Sequence, residues 1–349
     1  MNRLLILAPN WLGDAVMALP AIADLRRAAR DASITVAARR SVAPLFGMVG
    51  DVNEVLPLEV RRPTRHVAAW RELGAELRGK RFDAALLLPN SFQAALMAKR
   101  AGIPERWGYR TEWRGPLLTR GVDRAPSSVH QVDYYQQLVH TLGFPNGPIV
   151  PRLDVSLELR DAGAQALSDA GWDRRTPLVA LSPGAAYGGA KRWPAASFAQ
   201  LARALIGDGV AAVMVGGAAD APVGEQIMAA LAGRGSVFNL MGNALPALAG
   251  VLVNCRALVG NDSGATHLGA ALGVSVTAVF GPTDERVTGP RGEARLKVDT
   301  MSEMRVTTPV ALTHPVWCRP CGLRECPLDH RCMRGIGVDA VLAAARRTL

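Results

Sequence analysis

The segment VGNDSGATHLGAALG, residues 259–273, places Asp262, Ser263 and His267 within six positions. A hydroxyl, an imidazole and a carboxylate this close suit either nucleophilic hydrolysis or the holding of an anion. The spacing predicts a strand through Gly260, a turn, and a helix from Gly264 to a stop at Gly273, so Ser263 and His267, four positions apart, face one side. A nucleophile elbow requires Gly-x-Ser-x-Gly, and here Gly260-Asn-Asp-Ser-Gly264 sets the serine one position late. No acid is evident behind His267 to orient it. Free N–H groups at the helix start, joined by the Ser263 hydroxyl, make an anion seat instead, the alternative being a strand–turn–helix that binds nothing.

Three further clusters follow apolar runs. In SPGAAYGGAKRWP (182–194), small residues leave the backbone open ahead of Lys191 and Arg192. The interval from Gly184 through Gly189 to Lys191 is one residue too long for a Walker loop, and Arg192 stands where Ser or Thr is required. An open backbone beside a cation still favours a phosphate, against the plainer reading of a solvated basic turn. Asn10-Trp11-Leu12-Gly13-Asp14 follows the first apolar run; Asp14 reads either as an ordinary helix N-cap or as a general base. Leu88-Pro89-Asn90-Ser91-Phe92-Gln93 offers polar side chains suited to sugar hydroxyls or, equally, to a helix cap.

Four of five cysteines fall in CRPCGLRECPLDHRC, as Cys318, Cys321, Cys326 and Cys332 with His330 nearby. Their density admits a structural zinc site, with reduced thiols packed in a loop as the alternative. Catalytic zinc is disfavoured because the other clusters supply no further ligand set. Cys255 is expected in the core. No Gly-x-Gly-x-x-Gly follows a strand, which argues against a dinucleotide-dependent dehydrogenase.

The elements that must position these clusters alternate between β-like and helical patterns, the mark of parallel α/β architecture. Strands are expected at 4–8, 33–39, 52–58 and 82–89, with one helix over 13–30 and others at 66–79, 92–101 and 130–142. Pro and Gly cluster at 143–153. A second series begins at Pro177, with strands in LVALSP, AAVMVGG, SVFNL, ALVGND and VTAVFG and helices at 195–207, 222–233, 245–254 and 264–272. The expected organisation is a first domain over 1–155, a connecting segment with its own helix over 156–176, a second domain over 177–335 bearing the cysteine-rich loop, and a terminal helix over 336–349. The net charge of +10 is uneven: residues 1–150 hold 20 basic against 13 acidic side chains. Such a half suits an anionic partner or simply solvated arginines. The apolar run after Arg3 is too short for a signal peptide and lacks a small-residue cleavage site, so a buried first strand and a cytoplasmic protein are expected.

The motifs at 11–14, 89–92, 183–194 and 261–267, in this order and each after a strand, resemble those of the ADP-heptose:lipopolysaccharide heptosyltransferases of glycosyltransferase family 9. The resemblance runs nearly end to end. It implies the GT-B fold, two Rossmann-like parallel-sheet domains facing a cleft, with acceptor on the first and nucleotide-sugar on the second. It implies heptosyl transfer from ADP-heptose to the first heptose of the lipopolysaccharide inner core, with inversion. Asp14 would be the base and Lys191 would neutralise the departing ADP. Pro183, Gly184, Ala185, Lys191, Asp262, Ser263, Gly264 and His267 would line the donor site, with Asp220, Leu240 and Met241 nearer the adenosine. Asn10, Trp11, Gly13, Asn90, Ser91 and Phe92 would meet the acceptor. No cofactor is required, and a monomer working peripherally at the cytoplasmic face of the inner membrane is expected. Ala185-Ala186 depart from the polar or acidic residues that relatives often carry there, which would leave those phosphate contacts to the backbone. Within the family, transfer to Kdo is the alternative, and the 89–92 and 190–193 segments favour the first heptose. A basic nucleic-acid-binding protein with a zinc-knuckle tail is a third possibility, weakened by aromatics at only 5% of residues.

Overall fold

Leu4–Leu7 and Ile34–Ala38 are buried at every position, with no alternation between faces. Unbroken burial of this kind is what a parallel strand covered by helices on both sides requires. In the computed structural model, which describes residues 1–58, 74–75, 77–232, 235–297 and 304–349, the chain forms two compact units, Met1–Ile149 and Val150–Leu349.

The first unit holds strands β1 (Arg3–Leu7), β2 (Ser33–Arg39), β3 (Glu54–Leu58), β4 (Ala84–Leu87), β5 (Glu105–Tyr109) and β6 (Arg120–Val122). They form one parallel sheet ordered β3-β2-β1-β4-β5-β6. Counting helices of six residues or more, its main helices are α1 (Leu12–Met17), α2 (Leu19–Ala28), α3 (Phe92–Arg100) and α4 (Gln131–Thr141). The single helix expected over 13–30 is divided at Ala18, and Pro20 lies in the first turn of α2. A proline ring there would clash with the carbonyl four residues back in a continuous helix, so the break is local and forced. The expected helix at 66–79 lies largely outside the described residues.

The second unit repeats the winding. Strands β7 (Leu178–Ser182), β8 (Ala211–Gly216), β9 (Val237–Met241), β10 (Ala257–Asn261), β11 (Ser275–Phe280) and β14 (Val310–Thr313) form a parallel sheet ordered β14-β11-β10-β7-β8-β9. Between β11 and β14 the chain makes an antiparallel ribbon of β12 (Ala294–Lys297) and β13 (Met304–Thr307). The helices are α5 (Leu157–Asp169), α6 (Ala195–Gly207), α7 (Ala221–Ala230), α8 (Leu245–Leu252), α9 (Gly264–Ala271) and α10 (Val338–Arg346). Trp193, 1% exposed, packs edge-on to Phe198 in a core that α10 closes with Val341, Leu342 and Ala345.

Strands β5, β6 and β14 and the β12–β13 ribbon go beyond the elements expected from sequence. Glu105-Arg106 open β5, and β6 is three residues long, so neither presents an apolar run. Counted within its unit, each sheet has the order 3-2-1-4-5-6. In such a sheet the first and fourth strands are neighbours whose connections leave toward opposite faces, opening a crevice beyond their carboxyl ends. The loops after β1 and β4, and after β7 and β10, are the four that carry the sequence motifs.

Candidate functional site

In the second unit, Asn261 closes β10 and is fully buried. Its Nδ2 donates to the carbonyl of Pro183 at 2.7 Å and to that of Gly184 at 3.4 Å, while its Oδ1 accepts the Trp193 backbone N–H at 3.0 Å. One amide thus joins the loop after β7 to the segment that begins α6. Sequence reading quoted Asn261 but assigned it no role. Its signal was an amide at the last position of an otherwise apolar buried strand.

That joint brings Lys191 to Asp262. Lys191 Nζ donates to Asp262 Oδ2 at 2.5 Å, and the Thr283 hydroxyl donates to the same oxygen at 2.6 Å. His267 Nε2 lies 3.9 Å from the other oxygen, Oδ1. Asp262 is only 4% exposed. Burial pushes its carboxyl up, but the nearby His267 imidazole and the positive charge of Lys191 outweigh this and hold it below the ordinary aspartate range. Thr283, after β11, was not anticipated. The sequence showed no acid behind His267; the structure puts Asp262 there, at ion-pair rather than hydrogen-bond distance. Ser263 Oγ nevertheless makes no hydrogen bond to His267, so the nucleophile–base contact of a hydrolase is absent.

Ser263 instead stands at the cap position of α9 with extended backbone. The Thr266 hydroxyl donates to the carbonyls of Ser263 and Asn261 and accepts the Ser263 N–H. Ser263 Oγ faces the Thr266 N–H in capping-box fashion without completing a hydrogen bond, and among the described residues it is the buried side-chain polar atom left without a partner. An unpaired buried hydroxyl costs about 1–3 kcal/mol. Here it sits beside the N–H groups that open α9, the end of a helix that favours negative charge.

The rest of the proposed donor set clusters around this seat in part. A methyl group on Gly184 would fall 2.2 Å from the Asp220 carboxylate, so glycine at 184 is what lets Asp220 close on the loop. Arg192 reaches Asp220 at 3.4 Å. Ala185 is buried, and Gly264 is the first residue of α9. Leu240 and Met241 end β9, on the far side of β8 from β7, and are half-buried.

In the first unit, Trp11 rather than Asp14 holds the cap position of α1, without a side-chain cap. Asp14 is the third helical residue, half-buried, at the end of the helix dipole that stabilises a carboxylate. This corrects the N-cap alternative. Burial drives the Tyr135 hydroxyl well above its ordinary range, with the nearby Asp14 charge adding to the effect. Asn10, Trp11 and Phe92 are exposed, and Gly13 lies between Trp11 and Asp14 in the first turn. Asn90 and Ser91 are engaged within the fold: Asn90 Nδ2 donates to the Tyr134 hydroxyl at 2.7 Å, and Ser91 Oγ accepts the Ala94 N–H to cap α3. The residue holding this loop is Arg114, fully buried, which donates to the carbonyls of Tyr109 and Pro89 and to Asn90 Oδ1. Burial lowers its guanidinium to about 10. Nothing in the local pattern around Arg114 distinguished it from the solvated arginines of this basic unit.

The family model for glycosyltransferase family 9 (heptosyltransferase) matches residues 70–305. The chain belongs to glycosyltransferase family 9. A lipopolysaccharide heptosyltransferase 2 from Salmonella typhimurium is 35% identical over 302 residues, 82% of this chain and 85% of that protein. A lipopolysaccharide heptosyltransferase 1 from Pseudomonas aeruginosa is 26% identical over 313 residues, 84% and 82% of the two chains. The solved structure of Escherichia coli ADP-heptose lipopolysaccharide heptosyltransferase II superposes with a TM-score of 0.83 at 29% identity, covering 100% of this chain and 98% of that one. The two six-stranded sheets are therefore the two Rossmann-like halves of a GT-B glycosyltransferase.

The cysteine-rich segment of this family 9 chain packs against the second unit's loops rather than forming a separate knuckle. Cys332 is buried, Cys318 and Cys326 are half-buried and Cys321 is exposed. Burial pushes the Cys332 thiol up, and the other three thiols add to the shift. Among the described residues, no group of three or more His, Cys, Asp or Glu side chains is arranged to hold a metal ion. The structural-zinc option at Cys318, Cys321, Cys326 and Cys332 therefore finds no assembled ligand cage. Cys255 is buried, as expected of a core residue. Also among the described residues, no helix is long and apolar enough to cross a membrane.

Proposed function

We propose that this enzyme transfers L-glycero-D-manno-heptose from ADP-heptose to the first heptose of the lipopolysaccharide inner core, the reaction of a lipopolysaccharide heptosyltransferase 2. The observation that carries the reading is the unpaired Ser263 hydroxyl at the start of α9, beside the Lys191–Asp262 pair at the switch point of the second sheet. A diphosphate supplies the missing hydrogen-bond partner and the anion that the helix end favours. Higher identity to the heptosyltransferase 2 than to the heptosyltransferase 1 supports heptose over Kdo as the acceptor sugar.

In this reading Asp14 takes the proton from the acceptor hydroxyl, whose oxygen attacks the anomeric carbon as the bond to ADP breaks, inverting the configuration. Charge develops on the departing diphosphate, and Lys191, Ser263 and the α9 N–H groups stabilise it. Asp262 holds Lys191 and His267 in place and shapes the turn. Asn10, Trp11 and Phe92 offer exposed surface to the acceptor, while Asn90 and Ser91 act through the loop they stabilise. Because that acceptor is lipid-linked, phosphorylated and acidic, the enzyme works peripherally at the cytoplasmic face of the inner membrane, and the excess of basic residues in the first 150 suits it.

The test is ADP release from ADP-heptose with two defined acceptors, one bearing a single inner-core heptose and one ending in Kdo. Turnover confined to the heptose-bearing acceptor is expected. Turnover on the Kdo acceptor alone would move the assignment to the first transfer, and stabilisation of the chain by an oligonucleotide but not by ADP would overturn glycosyl transfer altogether.

A further inference from the structure

Residues 319–325, inside the cysteine-rich segment, bind two loops of the proposed donor site at once. On one side, the Gly189 N–H donates to Glu325 Oε1 at 2.9 Å and the Ala190 N–H donates to the Arg324 carbonyl at 2.9 Å. The Tyr187 hydroxyl donates to the Gly322 carbonyl at 2.7 Å, and the Tyr187 ring lies 4.8 Å from the Lys191 ammonium. A methyl group on Gly188 would stand 2.3 Å from the Arg324 carbonyl oxygen, so the two backbones meet at a distance only glycine allows. The four contacts made with residues 319–325 fall at Tyr187, Gly188, Gly189 and Ala190, the four residues directly before Lys191.

On the other side, Arg319 grips the loop after β11. Its Nε donates to the Gly281 carbonyl at 2.7 Å, and its Nη2 donates to the Thr283 carbonyl at 3.0 Å and to Glu285 Oε2 at 2.5 Å. The Gly322 N–H donates to the Pro282 carbonyl at 2.8 Å. Thr283 is the residue whose hydroxyl shares an Asp262 oxygen with Lys191. The segment thus spans from the backbone behind Lys191 to the backbone behind Thr283, the two donors that meet on one carboxylate oxygen.

We propose that Arg319–Glu325 is a strap that sets the position of Lys191 for the donor diphosphate, with Glu325 and Arg319 as its positioning residues. The proposal rests on the reading of this seat as the ADP-heptose site. A loop made almost wholly of Gly and Ala has many backbone conformations in isolation, and holding it before the ligand arrives reduces the ordering lost on binding. The strap supplies that order through hydrogen bonds to Gly189 and Ala190 by their backbone N–H groups and to Tyr187 by its hydroxyl, and the Tyr187 ring so held lies against the Lys191 ammonium. Neither positioning residue needs to touch the donor.

The test is isothermal titration of ADP into the wild-type chain, Glu325→Ala, Glu325→Gln and Arg319→Lys, with donor and acceptor KM measured on the same preparations. Losing a charged acceptor for the Gly189 N–H should raise the ADP Kd and donor KM of Glu325→Ala about tenfold. The acceptor KM should not move. Glu325→Gln keeps an oxygen that accepts the same N–H and should stay within about threefold of wild type. Arg319→Lys keeps the charge but not the planar fork, and should raise the ADP Kd by about threefold or more. Should Glu325→Ala fail to fold, Arg319→Lys carries the test. Unchanged ADP affinity in the folded variants overturns the strap, as does a fall in kcat with the donor KM unaltered, which a merely structural role would give. A wild-type chain that binds no ADP overturns the donor reading first and the strap with it, so the two failures are separable.

Discussion

Lys191 Nζ and Asp262 Oδ2 lie 2.5 Å apart although 71 positions separate them in the chain. Lys191 is 12% exposed and Asp262 4%, so the pair is largely removed from water. Such a pair adds little net stability over an apolar replacement, but removing one member leaves a buried charge. In the proposed donor site its value is placement: the carboxylate of Asp262, the residue before Ser263, fixes the Lys191 ammonium.

Lys191→Met should therefore harm both stability and donor use. Thr283 and His267 still serve Asp262, so a loss of about 2 kcal/mol is expected, below the 3–5 kcal/mol of an uncompensated pair. Urea unfolding at neutral pH measures the first effect, and the donor KM, raised about tenfold or more by loss of a charge-assisted contact, measures the second. Full stability with normal donor KM would remove Lys191 from the site.

The same pair sets an acid limit. Because the folded value of Asp262 lies below its ordinary 3.8, its contribution is present above that value and is lost as pH falls through the lower folded value. Lys191→Met withdraws a cation and raises the folded value, so its acid unfolding should begin at higher pH than that of the wild type. Circular dichroism during acid titration of both proteins reads the shift; coincident curves would deny the coupling.

Ser263→Ala should separate stability from binding. Deleting a buried hydroxyl that completes no hydrogen bond, at the cost of a weak cap, should leave the unliganded chain within about 1 kcal/mol of wild type. ADP affinity should nonetheless fall about tenfold, the loss of one good hydrogen bond to a charged group. Thermal melts with and without ADP give both numbers, and an equal ADP-induced shift in the two proteins would show that the hydroxyl makes no contact.

Asp14→Asn keeps the size of the side chain at the third position of α1 but cannot accept a proton. Turnover should drop about 10²–10⁴-fold, the range of a positioned general base. ADP affinity should stay near wild type, since Asp14 belongs to the first unit. Weakened ADP binding with substantial residual turnover would mean that the roles of Asp14 and the second unit are exchanged.

Asn261→Leu tests the joint beneath the seat. The substitution leaves the Trp193 N–H and the Pro183 carbonyl buried without their partner, and each orphaned group costs about 1–3 kcal/mol. A loss of about 3 kcal/mol in unfolding free energy is expected, with ADP binding weakened because the 183–194 loop is no longer held. A variant as stable as wild type would show that another group takes over both bonds.

Runs such as Leu4–Leu7 and Leu178–Ser182 by themselves determined the α/β class and the placing of every motif after a strand, because burial on both faces leaves a local mark in residue type. The spacing Gly260-Asn-Asp-Ser-Gly264 also spoke against the serine-hydrolase elbow, since one residue decides which way a side chain emerges from a turn. The break at Ala18 was equally legible from Pro20, yet only the structure drew it. What no local pattern held was winding order. Only the fold sets β7 beside β10 and β1 beside β4, and so joins Asn261 to Pro183, Lys191 to Asp262, and Arg114 to Asn90. Strand β6 and the polar start of β5 carried too little apolar signal to be seen, and Arg114 looked like any surface arginine until the sheet closed over it. The cysteine-rich segment shows the difference most plainly: its spacing left a structural metal and packed thiols both open, whereas its contacts with Tyr187, Gly189 and Ala190 brace the loop behind Lys191. Spacing along a chain reports which groups are near in sequence, but hydrogen bonds form between groups near in space, and only packing of the whole sheet decides which those are.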